Sequence, residues 1–290
     1  MWQAPDNLIH RGQPSRTAWR VAEQRAVHAL LDDPVVHHDP VALTMLGADE
    51  AQRLRANPFS CNDPMSRGLR AAVVARSRIA EDELARRVSM GVRQYVVLGA
   101  GLDTFAARNV HAAAGLKVFE VDHPSTQRWK REALATAGLA TPEVVFVPAD
   151  LERADLMATL AAAGLQLHEP VFVAWLGVTY YLSAAAVRST LHAIAQSRAG
   201  SGIVFDYRVP PMQLNLIERT VIHAVAMQLA AQGEPWRSDF EPDSLVRELQ
   251  TMGFTDVVDL DGPAINQRCF DRRRDGLHAG NAMHIICASV

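Results

Sequence analysis

The sequence predicts an α/β protein: a doubly wound, Rossmann-like parallel sheet wrapped on both faces by helices and preceded by an all-helical N-terminal cap. Three observations predict it. After Gly91, short apolar runs alternate with longer helical patterns. A glycine-rich turn follows directly on the first of these runs, and the residues before Gly91 show helical spacing with no strand pattern. With 290 residues, 49% of them hydrophobic, the chain has ample material for one large core.

From about Thr17 to Val88 the chain is rich in Ala, Arg and Leu, as in TAWRVAEQRAVHALL and RGLRAAVVARSRIAEDELARRV, with DDP, NPF and NDP as breakers. QYVVLG is the first strand, and FAARNVHAAA reads as the helix after it. KVFEVD, EVVFVPAD, PVFVAWLG and SGIVFDY supply four more strands, separated by PSTQRWKREALATAG, ADLMATLAAAG and SAAAVRSTLHAIAQSRAG. Such alternation implies parallel strands with crossover helices. MQLNLIERTVIHAVAMQLAAQG is an amphipathic helix, and PDSLVRELQTMG is another, closed by Gly253. FTDVVDL, a basic loop with Arg268, Arg272, Arg273 and Arg274, and MHIICASV complete the chain. Two late strands joined by a loop predict an antiparallel pair at the sheet edge. The expected division is a helical cap or lid over residues 1–90 and an α/β core over 91–290, with a helical lid insertion at about 211–233.

Composition excludes several functions. A formal charge of −3 gives no general attraction for nucleic acid or anionic lipid. Cys61, Cys269 and Cys287 are odd in number and far apart, which suggests neither a disulfide framework nor a zinc site. The first residues, MWQAPDNLIHRGQ, have no apolar signal core, and no apolar run reaches the roughly 18 residues of a membrane span. A cytoplasmic protein with no metal, no nucleic acid and no membrane partner is expected; oligomeric state is not legible.

In YVVLGAGLDT the turn Gly99-Ala100-Gly101 stands between a strand and a helical pattern, where backbone can approach a ligand. It reads either as the seat of a nucleotide-like cofactor or as a tight turn. The next strand ends in Asp122, an acid about twenty positions on, suited to accept both hydroxyls of a ribose. A dinucleotide site would want a third glycine near Thr104, and Asp103 would repel a phosphate there. S-adenosylmethionine, which carries no phosphate, fits better. The third strand ends in Asp150-Leu151, placed to accept from an adenine amino group and to cover the ring, although Asp150 alone also reads as a helix cap.

Taken together, SRTAWRVAEQRA, ARSRIAEDEL, LGAGLDTFAAR, FEVDHP, ADL and WLGVTYYL, in this order from Ser15 to about Tyr207, resemble the leucine carboxyl methyltransferase family and its bacterial branch of polyketide-type O-methyltransferases. The resemblance implies a seven-stranded class I methyltransferase sheet and S-adenosylmethionine as cofactor. Arg76 would pair with its methionine carboxylate, and Gly99, Ala100 and Gly101 would pass its amino acid part. Asp122 would hold the ribose, Asp150 and Leu151 would frame the adenine, and Trp175 would stand at the same site. One departure is Leu176: the phosphatase methyltransferases of this family carry a glutamate before Gly-Val. Leu176 argues against a phosphatase C-terminus as substrate and for the small-molecule branch.

Methyl transfer from a sulfonium is an in-line displacement, so the protein must chiefly align the partners. A carboxylate acceptor, with a pKa of about 4, arrives ionised; a phenol, at about 10, needs a base. The chain shows no unambiguous base, which favours a small acid over a phenol as acceptor. Tyr180, Tyr181, Tyr207 and Arg208 follow strands 4 and 5 at the ligand-binding edge and read either as acceptor-pocket residues or as packing. His223 is either a base or a surface histidine, and Arg76 and Arg78 also suit helical ion pairs with Glu81 and Asp82. Two rival functions are a nicotinamide-dependent oxidoreductase and a non-catalytic S-adenosylmethionine-binding partner protein.

Overall fold

A computed structural model describes residues 15–139, 141 and 143–290. The chain opens with α1 (Arg16–Leu31), whose first turn is capped by the Ser15 hydroxyl accepting from the Ala18 N–H. Short helices α2 (Ala42–Met45) and α3 (Ala48–Ala56) lead to the long α4 (Pro64–Ser89). Proline at the first position and Asp63 accepting from the Met65 and Ser66 N–H groups start α4. Then follow β1 (Gln94–Leu98), β2 (Lys117–Asp122), α5 (Pro124–Thr136), β3 (Val144–Pro148), α6 (Leu156–Ala162), β4 (Val171–Trp175), α7 (Ala184–Ala195) and β5 (Gly202–Arg208). The chain closes with α8 (Leu216–Ala231), α9 (Pro242–Met252), β6 (Thr255–Leu260), α10 (Gly262–Cys269) and β7 (Met283–Ser289).

The strands form a seven-stranded sheet in the order β3-β2-β1-β4-β5-β7-β6, parallel except for β7, which runs antiparallel to both β5 and β6. The doubly wound sheet with its late antiparallel pair is as the sequence predicts. Every residue of β1, β4 and β5 is buried because both faces are covered. Val96, Phe119, Val173, Trp175 and Phe205 pack toward α6, α7 and α9, while Tyr95, Val97, Phe172, Ala174 and Val204 pack toward α4. So α4, although it precedes the first strand, supplies one layer of the core. Helix α1 packs on α4 on the side away from the sheet core cluster and forms a separate apolar cluster with α2, α3, Leu102 and Leu134, over the loop that follows β1.

Two local expectations are corrected. No α-helix follows β1: Phe105–Arg108 and Ala112–Ala114 are short 3-10 turns. The side chain of Asp103 accepts the Phe105 N–H, and that of Asn109 accepts from His111 and donates to the Leu116 carbonyl; these local bonds close turns in place of a helix. The expected basic loop holds α10, capped by Asp261 accepting from the Ala264 N–H, so Arg268 sits on a helix and only Arg272, Arg273 and Arg274 lie in the loop. The cluster is not a single patch, because the Arg273 side chain is turned back onto Asp275 and the Pro34 carbonyl.

Candidate functional site

In an open parallel sheet ligands bind beyond the carboxyl ends of the strands where the order reverses, here between β1 and β4. A cavity of about 260 Å³ lies there, walled by the loop after β1, the ends of β2, β3 and β4, the first turns of α1 and the last turns of α8. Of the residues expected at the cofactor, Arg76, Gly99, Ala100, Gly101, Asp122, Asp150 and Leu151 all line it.

The glycines are required where they stand. Gly99 and Gly101 have φ of +64° and +47°, and a Cβ at Gly99 would come within 2.3 Å of Val178 Cγ2. At Gly101 a Cβ would meet that of Ala18 at 3.2 Å, so α1 seals the outer side of the turn. The Gly99 and Ala100 N–H groups donate to the Val121 carbonyl at 2.8 and 3.2 Å. Asp122 ties the same loop to the end of β2: its Oδ2 accepts the Gly101 N–H at 2.5 Å and its Oδ1 the His123 N–H at 2.6 Å. Burial pushes the Asp122 carboxyl above its ordinary pKa, and the two amides pull the other way. Asp150 accepts from the Glu152 N–H at 3.0 Å, a turn that sets Leu151 against the cavity.

Arg76, 5% exposed, is placed by a carboxylate that the sequence reading did not single out. Its Nη1 donates to Asp206 Oδ2 at 3.0 Å and to the Tyr180 hydroxyl at 3.2 Å, while Asp206 Oδ1 accepts the Gly177 N–H at 2.5 Å. A Cβ at Gly177 would lie 2.5 Å from Arg76 Nη2, which explains the glycine of WLGV. Burial opposes the guanidinium charge, but Asp206 and Tyr180 hold Arg76 more firmly protonated than usual. The Arg78 alternative resolves separately: Arg78 pairs with Asp82 at 2.8 Å on the surface. Asp206 was legible in principle, since an acid inside the apolar run IVFDY must find a partner.

The acceptor candidates part company. Tyr181 lines the cavity next to Tyr180, with ring centroids 4.9 Å apart, and burial pushes its phenol up to about 12 against a bond from Thr17. Tyr207 points to the other side of the sheet, where its hydroxyl donates to Asp259 Oδ2 at 3.0 Å. Arg208 is buried over the ring of Trp236, 4.2 Å from its centroid, and does not line the cavity. His223 is exposed on the outside of α8, and Trp175 is fully buried in the core against Phe205. Residues that motif reading missed complete the wall: Arg20 on α1, and Glu234, Trp236 and Arg237 after α8. Glu234, 1% exposed, accepts the Arg16 and Thr17 N–H groups at 3.2 and 3.0 Å and so fastens the start of α1. Arg25 fastens its middle, donating to the Leu102 carbonyl and pairing with Asp39 at 3.3 Å, which in turn accepts from Thr104. Among the described residues no group of three or more His, Cys, Asp or Glu could hold a metal, and no helix is long and apolar enough to cross a membrane.

A sequence model of the leucine carboxyl methyltransferase family matches residues 18–195. The chain is 30% identical to "Putative S-adenosyl-L-methionine-dependent methyltransferase YktD" of Bacillus subtilis (strain 168), over 97% of this chain and 99% of that protein. A similarly named Frankia alni protein, FRAAL3718, is 35% identical over 64% of this chain and 65% of its own length. Among solved structures, one from Thermobifida fusca YX described as "a putative methyltransferase" superposes with a TM-score of 0.58 at 16% identity, over 97% and 96% of the two chains; it shares the fold. With the family's segment spanning α1 to α7 and a full-length relative, the chain belongs to the leucine carboxyl methyltransferase family.

Proposed function

We propose that this chain is an S-adenosylmethionine-dependent methyltransferase that delivers the methyl group to a carboxylate oxygen of a small-molecule acid, giving a methyl ester. The cavity suits the cofactor. Asp122 spends one lone pair per oxygen on the loop amides and keeps others for two ribose hydroxyls, and the glycine turn leaves backbone bare beside it. Nη2 and Nε of Arg76 make no bond among the described residues, so they are placed to take the methionine carboxylate. Leu151 covers the adenine and Asp150 accepts its amino group. The cofactor supplies an activated methyl group on a sulfonium; the residues of this chain bind it, align the acceptor and exclude water.

The observation that carries the carboxylate reading is the state of the acidic and basic groups beyond this seat. Burial raises the phenols of Tyr180 and Tyr181 so that both keep their protons at neutral pH. Glu234 is committed to the α1 amides, and Glu152 to Ser183 and Arg237. His123 is tied to Ser125 at the start of α5, on the ribose side. With every carboxylate of the described wall beyond this seat already committed to a partner, the nucleophile is expected to arrive ionised, as a carboxylate does. Incubation with methyl-labelled S-adenosylmethionine and a set of carboxylic acids tests this. The product should release its label as volatile methanol in mild base; a base-stable label would mean an ether and a hydroxyl acceptor.

Access over the acceptor end belongs to α8. Leu229 is its only buried residue, while Val225 and Leu229 face the cavity and Leu216, Ile217, Val221 and Met227 face solvent. A helix held by so little core is suited to open and close, whereas α1 is fastened at both ends of the cavity and acts as a fixed wall.

A further inference from the structure

We propose that Arg20 is the anion anchor of the acceptor, and that the acceptor is a flat, apolar molecule carrying a carboxylate that Arg20 holds while its body lies against Tyr181 and Trp236. This deepens the carboxylate reading above and rests on it for the identity of the anion.

The charges of the cavity wall lead to it. Arg76 is paired with Asp206, Arg25 with Asp39, and Arg237 with Glu152. Asp122, Glu152 and Glu234 each accept bonds from the chain's own backbone. Arg20 alone among the cationic side chains of the wall makes no ion pair or hydrogen bond with any described residue, yet it lines the cavity and is half-buried. A guanidinium held partly away from water with no counter-charge among the described residues is a cost that a ligand's charge would offset, and its planar fork suits a carboxylate.

Position assigns that ligand to the acceptor. Helix α1 crosses the cavity from Glu234, which holds Thr17, to the glycine loop, which Arg25 holds. Arg20 stands one turn after Thr17, whose hydroxyl bonds Tyr181, and thus near the aromatic wall. Tyr180 links that wall together, with ring centroids 4.9 Å from Tyr181 and 5.9 Å from Trp236. The methionine carboxylate has its own candidate in Arg76, which stands beside Gly177 and is held by Asp206 and the Tyr180 hydroxyl. Aromatic side chains beside a cation that has no partner among the described residues select a flat apolar anion.

The test uses the full chain saturated with S-adenosylhomocysteine, titrated with cinnamate and with its neutral amide, cinnamamide. The wild type should bind cinnamate about tenfold or more tightly than the amide, as expected for a charged hydrogen bond. Arg20→Gln should erase the preference by weakening cinnamate alone, Arg20→Lys should keep part of it, and S-adenosylhomocysteine affinity should stay within about twofold in both, which also reports correct folding. No preference in the wild type, or an unchanged preference in R20Q, overturns the proposal. So does a loss of S-adenosylhomocysteine affinity as large as that for cinnamate, since it would assign Arg20 to the cofactor. The anchor and the reaction fail separately: an R20Q-sensitive preference together with a base-stable methyl product would leave the anchor standing and remove only the ester reading.

Discussion

Gly99 shows how a single residue carries both fold and site. Its φ of +64° and the 2.3 Å that a Cβ would leave to Val178 mean that Gly99→Ala must either strain the backbone or push the 177–178 turn outward. The expected cost is about 2 kcal/mol or more of stability, with weaker S-adenosylmethionine binding, read by denaturant titration and calorimetry. The glycine was legible because a turn after a strand is a local signal. Its partner was not, since Val178 reaches it from the turn after β4. Arg76 shows the same limit: the helix pattern offered Glu81 or Asp82 as partners, and the fold supplies Asp206 from β5, 130 residues away. Glu81 pairs elsewhere. Burial alone would push its carboxyl up, but Arg108 and His37 hold it down to about 2. A folded pKa below the ordinary 4.5 contributes stability that is present at neutral pH and is lost as pH falls from about 4.5 toward 2. Glu81→Gln should therefore destabilise the protein at pH 7, by up to about 3 kcal/mol, and the difference should shrink toward zero near pH 2 in urea titrations.

At the scale of elements, the apolar periodicities located every strand, since alternation of short apolar runs with helices is a local property. The misread stretches are those where a side chain competes with the backbone. Asp103 and Asn109 divert FAARNVHAAA into turns, and Asp261 with Pro263 starts α10 in what looked like a loop. The helices before β1 read as one cap, yet α4 is a layer of the core while α1 is a wall held by Glu234 and Arg25. Sequence periodicity reports that a helix has an apolar face and is silent about which surface covers it. Glu234→Ala leaves the Arg16 and Thr17 amides without their acceptor, so it should cost about 1–3 kcal/mol and loosen cofactor binding, measurable as a lower midpoint and a higher Kd. Helix α8 should behave differently from α1. Limited proteolysis within 216–231 should slow several-fold on adding S-adenosylhomocysteine while α1 is resistant throughout; equal rates with and without ligand would contradict a lid.

For the whole molecule, the sheet order places the β1 and β2 ends, the β3 turn and the 177–178 turn around one crevice, and the seven residues expected at the cofactor, read from four separate motifs, meet there. Tyr207, Arg208, His223 and Trp175 do not join them, because strand alternation and helix rotation turn them to the other face, to Trp236, to solvent and to the core. The residues expected at the cofactor were thus legible as a set of local turns that meet at one cavity, whereas the wall beyond them is assembled from α1 and the segment after α8, whose meeting no local pattern records. All of this depends on the crevice being the seat of a methyl donor without phosphates. The direct measurement is a calorimetric titration of the purified chain with S-adenosylmethionine and, in parallel, with NAD. One S-adenosylmethionine bound per chain, with NAD giving no saturable heat, is the predicted result; NAD binding as tightly as S-adenosylmethionine, or S-adenosylmethionine not binding at all, would contradict it.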